Sequence, residues 1–188
     1  MKKMLLFVVL TVLLTVSSVF AQGGIQIINP QNNNSSNMDY LDNVKVGSEY
    51  EIEDWGIITI YNYATLVDYT DETGYKDDLI QNYSDKPGAD TVILCMDIVN
   101  ITLKAKNYLK NISVKTVYDD KYTIDGWWVQ QDKDRKSLKS SQVFEIDPFY
   151  EGHYMFGTTV SDYIMKDSKP LRMVITIDDI ELTYNIRK

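Results

Sequence analysis

The stretch DTVILCMDIVNITL, residues 90–103, decides the fold. Its even-numbered apolar residues lie on one face of an extended chain, while Ile93, Cys95 and Val99 cover much of the other face. A strand that is apolar on both faces is typical of the interior of a packed sheet. The stretch therefore predicts a central strand with protein on both sides.

Shorter segments with alternating apolar residues occur before and after this strand. They are Tyr50–Glu53, Trp55–Tyr69, Ile112–Tyr118, Tyr122–Val129, Gln142–Ile146, Gly152–Val160, Leu171–Ile177 and Ile180–Ile186. The acidic pairs at 119–120 and 178–179 are turn residues, and each predicts a hairpin. Helical periodicity is scarce, and residues 71–84 predict a long loop. The pattern indicates an all-β fold, an antiparallel β-sandwich with about eight or nine strands and little helix.

The N-terminus has the pattern of a secretory signal peptide. Lys2 and Lys3 precede the apolar run Leu5–Leu14, and Val19-Phe20-Ala21 fits a cleavage site before Gln22. We therefore predict a signal peptide over residues 1–21, with the protein secreted or held in the cell envelope. An uncleaved anchor is the alternative, although a bilayer needs about 20 apolar residues. After cleavage, no other segment approaches that length.

The polar, Asn-rich segment 22–43 predicts a flexible N-terminal tether. Its Ile25, Ile27 and Ile28 are an exception, because they could form a short edge strand or remain unpaired. The predicted β-sandwich domain then covers residues 44–188.

The composition excludes several functional classes. The 188 residues include 27 acidic and 19 basic ones, for a net charge of −8, so a phosphate backbone would be repelled and no nucleic-acid partner is expected. The lone His153 and lone Cys95 exclude His/Cys zinc clusters and intrachain disulfides. Cys95 is predicted to be a buried small hydrophobe, with an intermolecular disulfide as the alternative. Because nucleophile-elbow and phosphate-loop motifs are also missing, we predict that the chain is not an enzyme.

Several segments resemble a known secreted family in their order along the chain. They are Val44–Gly47 followed by Tyr50–Ile52, the strand Val92–Val99 ending in Asn100, Ile112–Trp127, and Asp147–Gly152 followed by Tyr154–Gly157. Together they resemble the immunoglobulin-like extracellular β-sandwich domains of bacteria, which include a secreted mycobacterial antigen. The resemblance spans about Val44 to Lys188. It implies an immunoglobulin-like fold and an extracellular setting, and it implies no catalytic residues.

Aromatic side chains are the first candidates for a binding surface. Trp127 and Trp128 are adjacent on a predicted strand, so one should be core and the other exposed. An exposed Trp can stack on a sugar ring or anchor a protein partner. Tyr61 and Tyr63 share odd-numbered positions on another strand and form a second candidate strip, or pack across strands.

Acidic residues are the second group of candidates. Calcium needs several converging oxygen ligands, which the loops at one end of a sandwich can supply. Asp68, Asp71 and Glu72 are the first choice for such a site, because they lie in the longest predicted loop. No other cofactor is expected, and solvated loop carboxylates are the alternative.

These features predict a secreted or cell-surface, non-catalytic binding module whose partner is an extracellular or envelope protein. Aromatic side chains would supply contact area, and acidic loops would select basic partners. The alternative is a carbohydrate-binding accessory domain that stacks sugars on its Trp and Tyr side chains. An envelope enzyme or enzyme inhibitor is a third class.

Overall fold

Two β-sheets make up the body of the protein. The computed structural model describes residues 25–28, 39–74, 87–108, 111–138 and 145–188, so the predicted signal peptide lies outside the described residues. In spatial order the first sheet contains β1 (Ile25–Ile28), β3 (Ser48–Ile52), β4 (Gly56–Thr65), β5 (Ala89–Val99), β11 (Glu151–Ser161) and β9 (Trp127–Gln131). The second sheet contains β2 (Asp39–Leu41), β13 (Ile180–Arg187), β12 (Leu171–Ile177), β7 (Ile112–Tyr118) and β8 (Tyr122–Asp125).

Short elements complete the described structure. A two-stranded sheet pairs β10 (Glu145–Ile146) with β6 (Lys106–Asn107), and the helices are α1 (Leu66–Thr73) and α2 (Asp162–Lys166). The predicted β-sandwich is confirmed. The described residues hold thirteen strands rather than eight or nine, because several strands of two to four residues carry too little alternation to predict. Within these ranges, no helix is long and apolar enough to cross a membrane.

The strand β5 is central, as its sequence predicts. It pairs antiparallel with β4 on one side and with β11 on the other. Its residues Val92, Leu94, Met96 and Ile98 lie in the core between the two sheets. Ile93 and Cys95 face the opposite side, where a smaller second core covers them. Both faces of β5 are therefore buried.

The second core explains a difference from the predicted secondary structure. The strand predicted over Trp55–Tyr69 ends at Thr65, whose Oγ1 accepts a hydrogen bond from the backbone N–H of Asp68, 3.2 Å away. This N-cap starts α1, which places Leu66 and Tyr69 over the outer face of the first sheet. One side of the sandwich is thus covered by a helix instead of being open to solvent.

The chain crosses between the two sheets at Gly126. The strand β8 pairs with β7 in the second sheet, whereas β9 pairs with β11 in the first. A β-carbon on Gly126 would lie 2.4 Å from the carbonyl oxygen of Gly157, which is closer than a side chain tolerates. The single strand predicted over Tyr122–Val129 is therefore wrong, and two strands in different sheets replace it.

The domain begins before the predicted boundary at residue 44. β1 pairs in parallel with β3, so the first of the two alternatives for residues 25–28 is the one observed. β2 pairs in parallel with β13, and Leu41 is buried in the core together with Val44. The prediction of a flexible tether over residues 22–43 is therefore wrong for residues 39–43, because these residues belong to the sandwich. The predicted tether residues 22–24 and 29–38 lie outside the described residues.

Cys95 is expected to be unreactive in the folded protein. Its side chain is buried in the second core, as predicted, and burial raises the pKa of its thiol to about 12. Because the thiolate is the reactive form, Ellman's reagent should label the native chain at least about 100-fold more slowly than the chain in denaturant. Rapid stoichiometric labelling of the native protein would contradict this burial.

Candidate functional site

A row of polar side chains crosses the outer face of the first sheet. The strand registers place Thr59 opposite Asp97, Asp97 opposite His153, and His153 opposite Gln131. Directly opposed residues on neighbouring antiparallel strands have side chains on the same face and within reach of each other. The row therefore brings together side chains from four separate parts of the chain.

Asp97 is the centre of this row. Its Oδ1 accepts a hydrogen bond from His153 Nδ1 at 2.6 Å, and its Oδ2 accepts one from an Arg135 guanidinium nitrogen at 2.6 Å. His153 is 5% exposed and Asp97 is 8% exposed. Since an ionised carboxylate only accepts hydrogen bonds, Nδ1 of His153 carries the proton and Nε2 points the other way. That Nε2 lies 3.6 Å from Oε1 of Glu151.

Arg135 is held in place by groups other than Asp97. Its guanidinium carbon lies 4.8 Å from the centroid of the Tyr61 ring, a cation–π contact. Its backbone carbonyl accepts hydrogen bonds from the Tyr69 hydroxyl at 3.0 Å and from Gln131 Nε2 at 3.3 Å. Burial lowers the pKa of Arg135, but the hydrogen bond and negative charge of Asp97 outweigh burial and raise it. The loop after β9 is thereby fixed to α1 and the sheet.

A cleft of about 520 Å³ opens beside His153. Gln130, Gln131, Asp132, Lys133 and Glu151 contribute to its polar lining. Phe149 and Tyr150 also line it, and each is 68% exposed. The cleft thus combines charged and amide groups, which can orient a ligand, with two solvent-facing aromatic rings that offer apolar contact area.

The aromatic rim of the cleft is fastened by Asn100, which is completely buried. The backbone of Asn100 bonds the backbones of both rim residues, with the Phe149 N–H at 2.7 Å from its carbonyl oxygen. Its side-chain amide donates to the carbonyls of Lys104 and Ile146, each at 2.8 Å. Phe149 itself has a left-handed backbone, with φ of 65°. The exposed rings therefore project from a tightly bonded turn.

The two predicted Trp residues do lie on opposite faces of their strand. However, both are half-buried, whereas one exposed Trp was expected. Trp127 packs against the second core and directly over Gly157, where a β-carbon would lie 2.4 Å from the ring. Trp128 packs against the core between the sheets. The expectation failed because both faces of this sheet are covered.

A β-bulge separates the two predicted Tyr residues. The register between β4 and β5 shifts between Ile60 and Asn62, so Tyr61 and Tyr63 face opposite sides of the sheet. Tyr61 joins the second core beside Arg135, whereas Tyr63 packs on Tyr184 with ring centroids 4.9 Å apart. The predicted ligand-binding set of Trp127, Trp128, Tyr61 and Tyr63 therefore does not form one exposed surface. A role for these residues in binding stays a prediction.

The predicted calcium ligands lie on α1 rather than in a loop. Asp68, Asp71 and Glu72 are exposed, and the Asp68 carboxylate accepts a hydrogen bond from Thr65 Oγ1 at 2.7 Å. Calcium binding by these residues stays a prediction. Among the described residues, a group with ligand atoms within 4.8 Å of one another occurs elsewhere and consists of Asp97, Glu151 and His153. The sequence signal for that group is an acidic residue, Asp97, inside the otherwise apolar run Val92–Val99.

The fold and the cleft define the protein as a β-sandwich with a polar, aromatic-rimmed site at one end. Comparison with solved structures finds a similar fold in an uncharacterized β-sandwich protein from Clostridium difficile. That protein is 19% identical, with a TM-score of 0.57, and the match covers 82% of this chain and 98% of that one. No protein-family model matches the chain, and no curated protein matches it. The likeness supports the fold, and the resemblance to the mycobacterial antigen family stays a prediction.

Proposed function

We propose that this chain is a secreted or cell-surface binding module that recognises a protein partner at the cleft. The observation that carries the proposal is the pair of exposed rings, Phe149 and Tyr150, on the rim of a polar cleft. Large aromatic side chains supply most of the energy in many protein interfaces. The buried Asn100 holds their backbone before any partner arrives, which lowers the entropic cost of binding.

The charge of the cleft favours a basic partner. Asp132 and Glu151 line it together with a single lysine, Lys133, and the whole chain carries a net charge of −8. Asp97 already pairs with the neighbouring Arg135, so that guanidinium adds little positive charge. Complementary charges accelerate association and exclude wrong partners. The predicted export signal supports an extracellular or envelope partner.

A non-catalytic role fits the residues around His153. The Asp97–His153 pair has the geometry that orients a general base, and in Ser-, Thr- or Cys-dependent catalysis such a base activates a nearby hydroxyl or thiol. Among the described residues that line the cleft, none is Ser, Thr or Cys. Cys95 is sequestered in the second core, where burial raises its pKa.

Carbohydrate binding is the second candidate, and one observation favours it. The two rim rings line the same cleft as Gln130 and Glu151, whose planar amide and carboxylate groups suit the hydroxyls of a sugar. In this case the rings would stack on the apolar face of the sugar. The stacking residues would be Phe149 and Tyr150 rather than the half-buried Trp pair.

The test replaces both rim rings with alanine. In pull-downs from extracellular and envelope fractions, the Phe149→Ala/Tyr150→Ala variant should capture at least about 10-fold less partner than wild type does, because two aromatic anchors are removed. Tyr163→Ala is the matched control, since Tyr163 is 76% exposed on α2 at the far end of β11. It should capture as wild type does.

The outcomes separate the two candidates. Binding on a glycan array that the rim variant loses, without protein capture, would favour carbohydrate recognition. If the rim variant binds the same proteins or glycans as strongly as wild type, the cleft rim is not the binding surface and the proposal is wrong.

A further inference from the structure

We propose that His153 and Glu151 form a binding site for a divalent transition-metal ion, with Zn²⁺ as the best fit, and that Asp97 supports it from behind. This inference does not depend on a protein or glycan partner for the cleft. It rests on the placement of three side chains whose ligand atoms lie within 4.8 Å of one another. Two of them, His153 and Glu151, line the cleft, and Asp97 lies next to His153.

The distance between the two ligand atoms fits a single metal ion. His153 Nε2 lies 3.6 Å from Glu151 Oε1. Zinc binds nitrogen and oxygen at about 2.0–2.2 Å, so two ligands at a tetrahedral angle are about 3.4 Å apart. Neutral Nε2 and a carboxylate are both hydrogen-bond acceptors, and their facing each other is unfavourable without a cation or a proton between them.

The groups behind His153 prepare its Nε2 for a metal. Asp97 accepts the hydrogen bond from Nδ1 at 2.6 Å, and in the neutral imidazole this arrangement places the lone pair on Nε2. A carboxylate bonded to the far nitrogen of a ligating histidine is a recurring arrangement that fixes the ring and raises its basicity. Since His153 is 5% exposed and bonded to Asp97, its ring is already oriented.

The local charge balance permits a divalent cation. Arg135 pairs with the second oxygen of Asp97, so these two charges offset each other. Glu151 then contributes a negative charge, and its side chain is 50% exposed, which leaves room for water or a partner's side chain in the remaining positions. Two protein ligands give a weak, open site with coordination positions left for water. A site with an imidazole ligand binds Ca²⁺ poorly, because Ca²⁺ prefers oxygen ligands. Imidazole is a good ligand for Zn²⁺, Ni²⁺ and Cu²⁺.

The chain offers a direct readout, because His153 is its one histidine. Protein made without a histidine tag and stripped of metal would be titrated with Zn²⁺ while the imidazole nitrogens are followed by ¹⁵N NMR. Saturable binding should move the Nε2 signal and leave Nδ1 protonated. Calorimetry on the same samples should give one site for Zn²⁺ and no saturation by Ca²⁺ over the same range.

Matched variants distinguish this site from other acidic groups. Glu151→Gln and His153→Gln should each weaken Zn²⁺ binding at least about 10-fold, and Asp97→Asn should weaken it about 10- to 100-fold. Asp71→Asn/Glu72→Gln on the exposed face of α1 should bind as wild type does. Glu151→Gln keeps the test decisive if a His153 variant does not fold, because Glu151 is exposed.

Two results would overturn the proposal. One is no saturable effect on the imidazole signals up to about 1 mM Zn²⁺, a concentration that would reveal even millimolar affinity. The other is Zn²⁺ binding that is unchanged in folded Glu151→Gln, which would place the ion elsewhere.

Discussion

Replacing Asp97 with alanine is expected to lower the free energy of unfolding by about 3 kcal/mol, because it leaves buried donors without their acceptor. The carboxylate accepts hydrogen bonds from His153 Nδ1 and from Arg135, both at 2.6 Å. Breaking a buried ion pair typically costs about 3–5 kcal/mol. The Arg135 side chain is 35% exposed and can bind water once Asp97 is gone, so we expect a loss of stability at the lower end of that range. Urea unfolding followed by Trp fluorescence measures the difference.

Two further variants show whether the effect comes from this carboxylate. Asp97→Asn keeps the shape but offers one acceptor oxygen, and should cost about half as much as alanine. Asp120→Ala removes an exposed partner of Arg172 and should change stability by less than about 1 kcal/mol. An Asp97→Ala loss as small as that of Asp120→Ala would show that the polar row contributes nothing to stability.

The strands that could be predicted from the sequence are those whose burial repeats regularly. In β5, both sets of alternating residues are apolar, and both faces are covered in the structure. The hairpin of β12 and β13 turns at Asp178, which has a φ of 55°, as the acidic turn residues indicated. Local patterns succeed in these places because the same residues determine both the strand and its burial.

The errors in the sandwich come from contacts between distant segments. A single-residue shift at the bulge in β4 sends Tyr61 and Tyr63 to opposite faces, and alternation alone cannot show such a shift. Gly126 looks like an ordinary strand glycine in the sequence. Its role in crossing between sheets depends on the backbone at Gly157, which approaches from another strand.

The candidate site could not be assembled from the sequence for a related reason. Asp97 and His153 are 56 positions apart and meet because β5 and β11 pair in one particular register. Arg135 joins them from a loop between the two strands in sequence. The sequence shows each residue separately. Their contact depends on the strand register and on where the loop that carries Arg135 packs.

Replacing Asn100 with alanine is expected to lower the free energy of unfolding by about 2–3 kcal/mol, since the buried carbonyl of Ile146 loses its donor and the loop after β5 loses further hydrogen bonds to the amide. Its amide nitrogen donates to the carbonyls of Lys104 and Ile146, and its amide oxygen accepts from the backbone N–H of Thr102 at 2.9 Å. Asn100 is completely buried, so water does not readily replace its bond to the Ile146 carbonyl. Chemical unfolding measures the loss.

The same variant should also loosen the cleft rim. Without the Asn100 side chain, the turn that carries Phe149 keeps its backbone hydrogen bonds to residue 100. It loses the hydrogen bond from the Asn100 amide to the carbonyl of Ile146, which precedes the turn. Amide hydrogen exchange over residues 146–151 should therefore accelerate more than exchange in β12, which lies in the other sheet. Asn185→Ala, which removes a surface bond to Asn43, is the matched control and should change neither stability nor exchange at the rim. Equal acceleration throughout the domain would show that Asn100 stabilises the sandwich as a whole and does not specifically hold the rim.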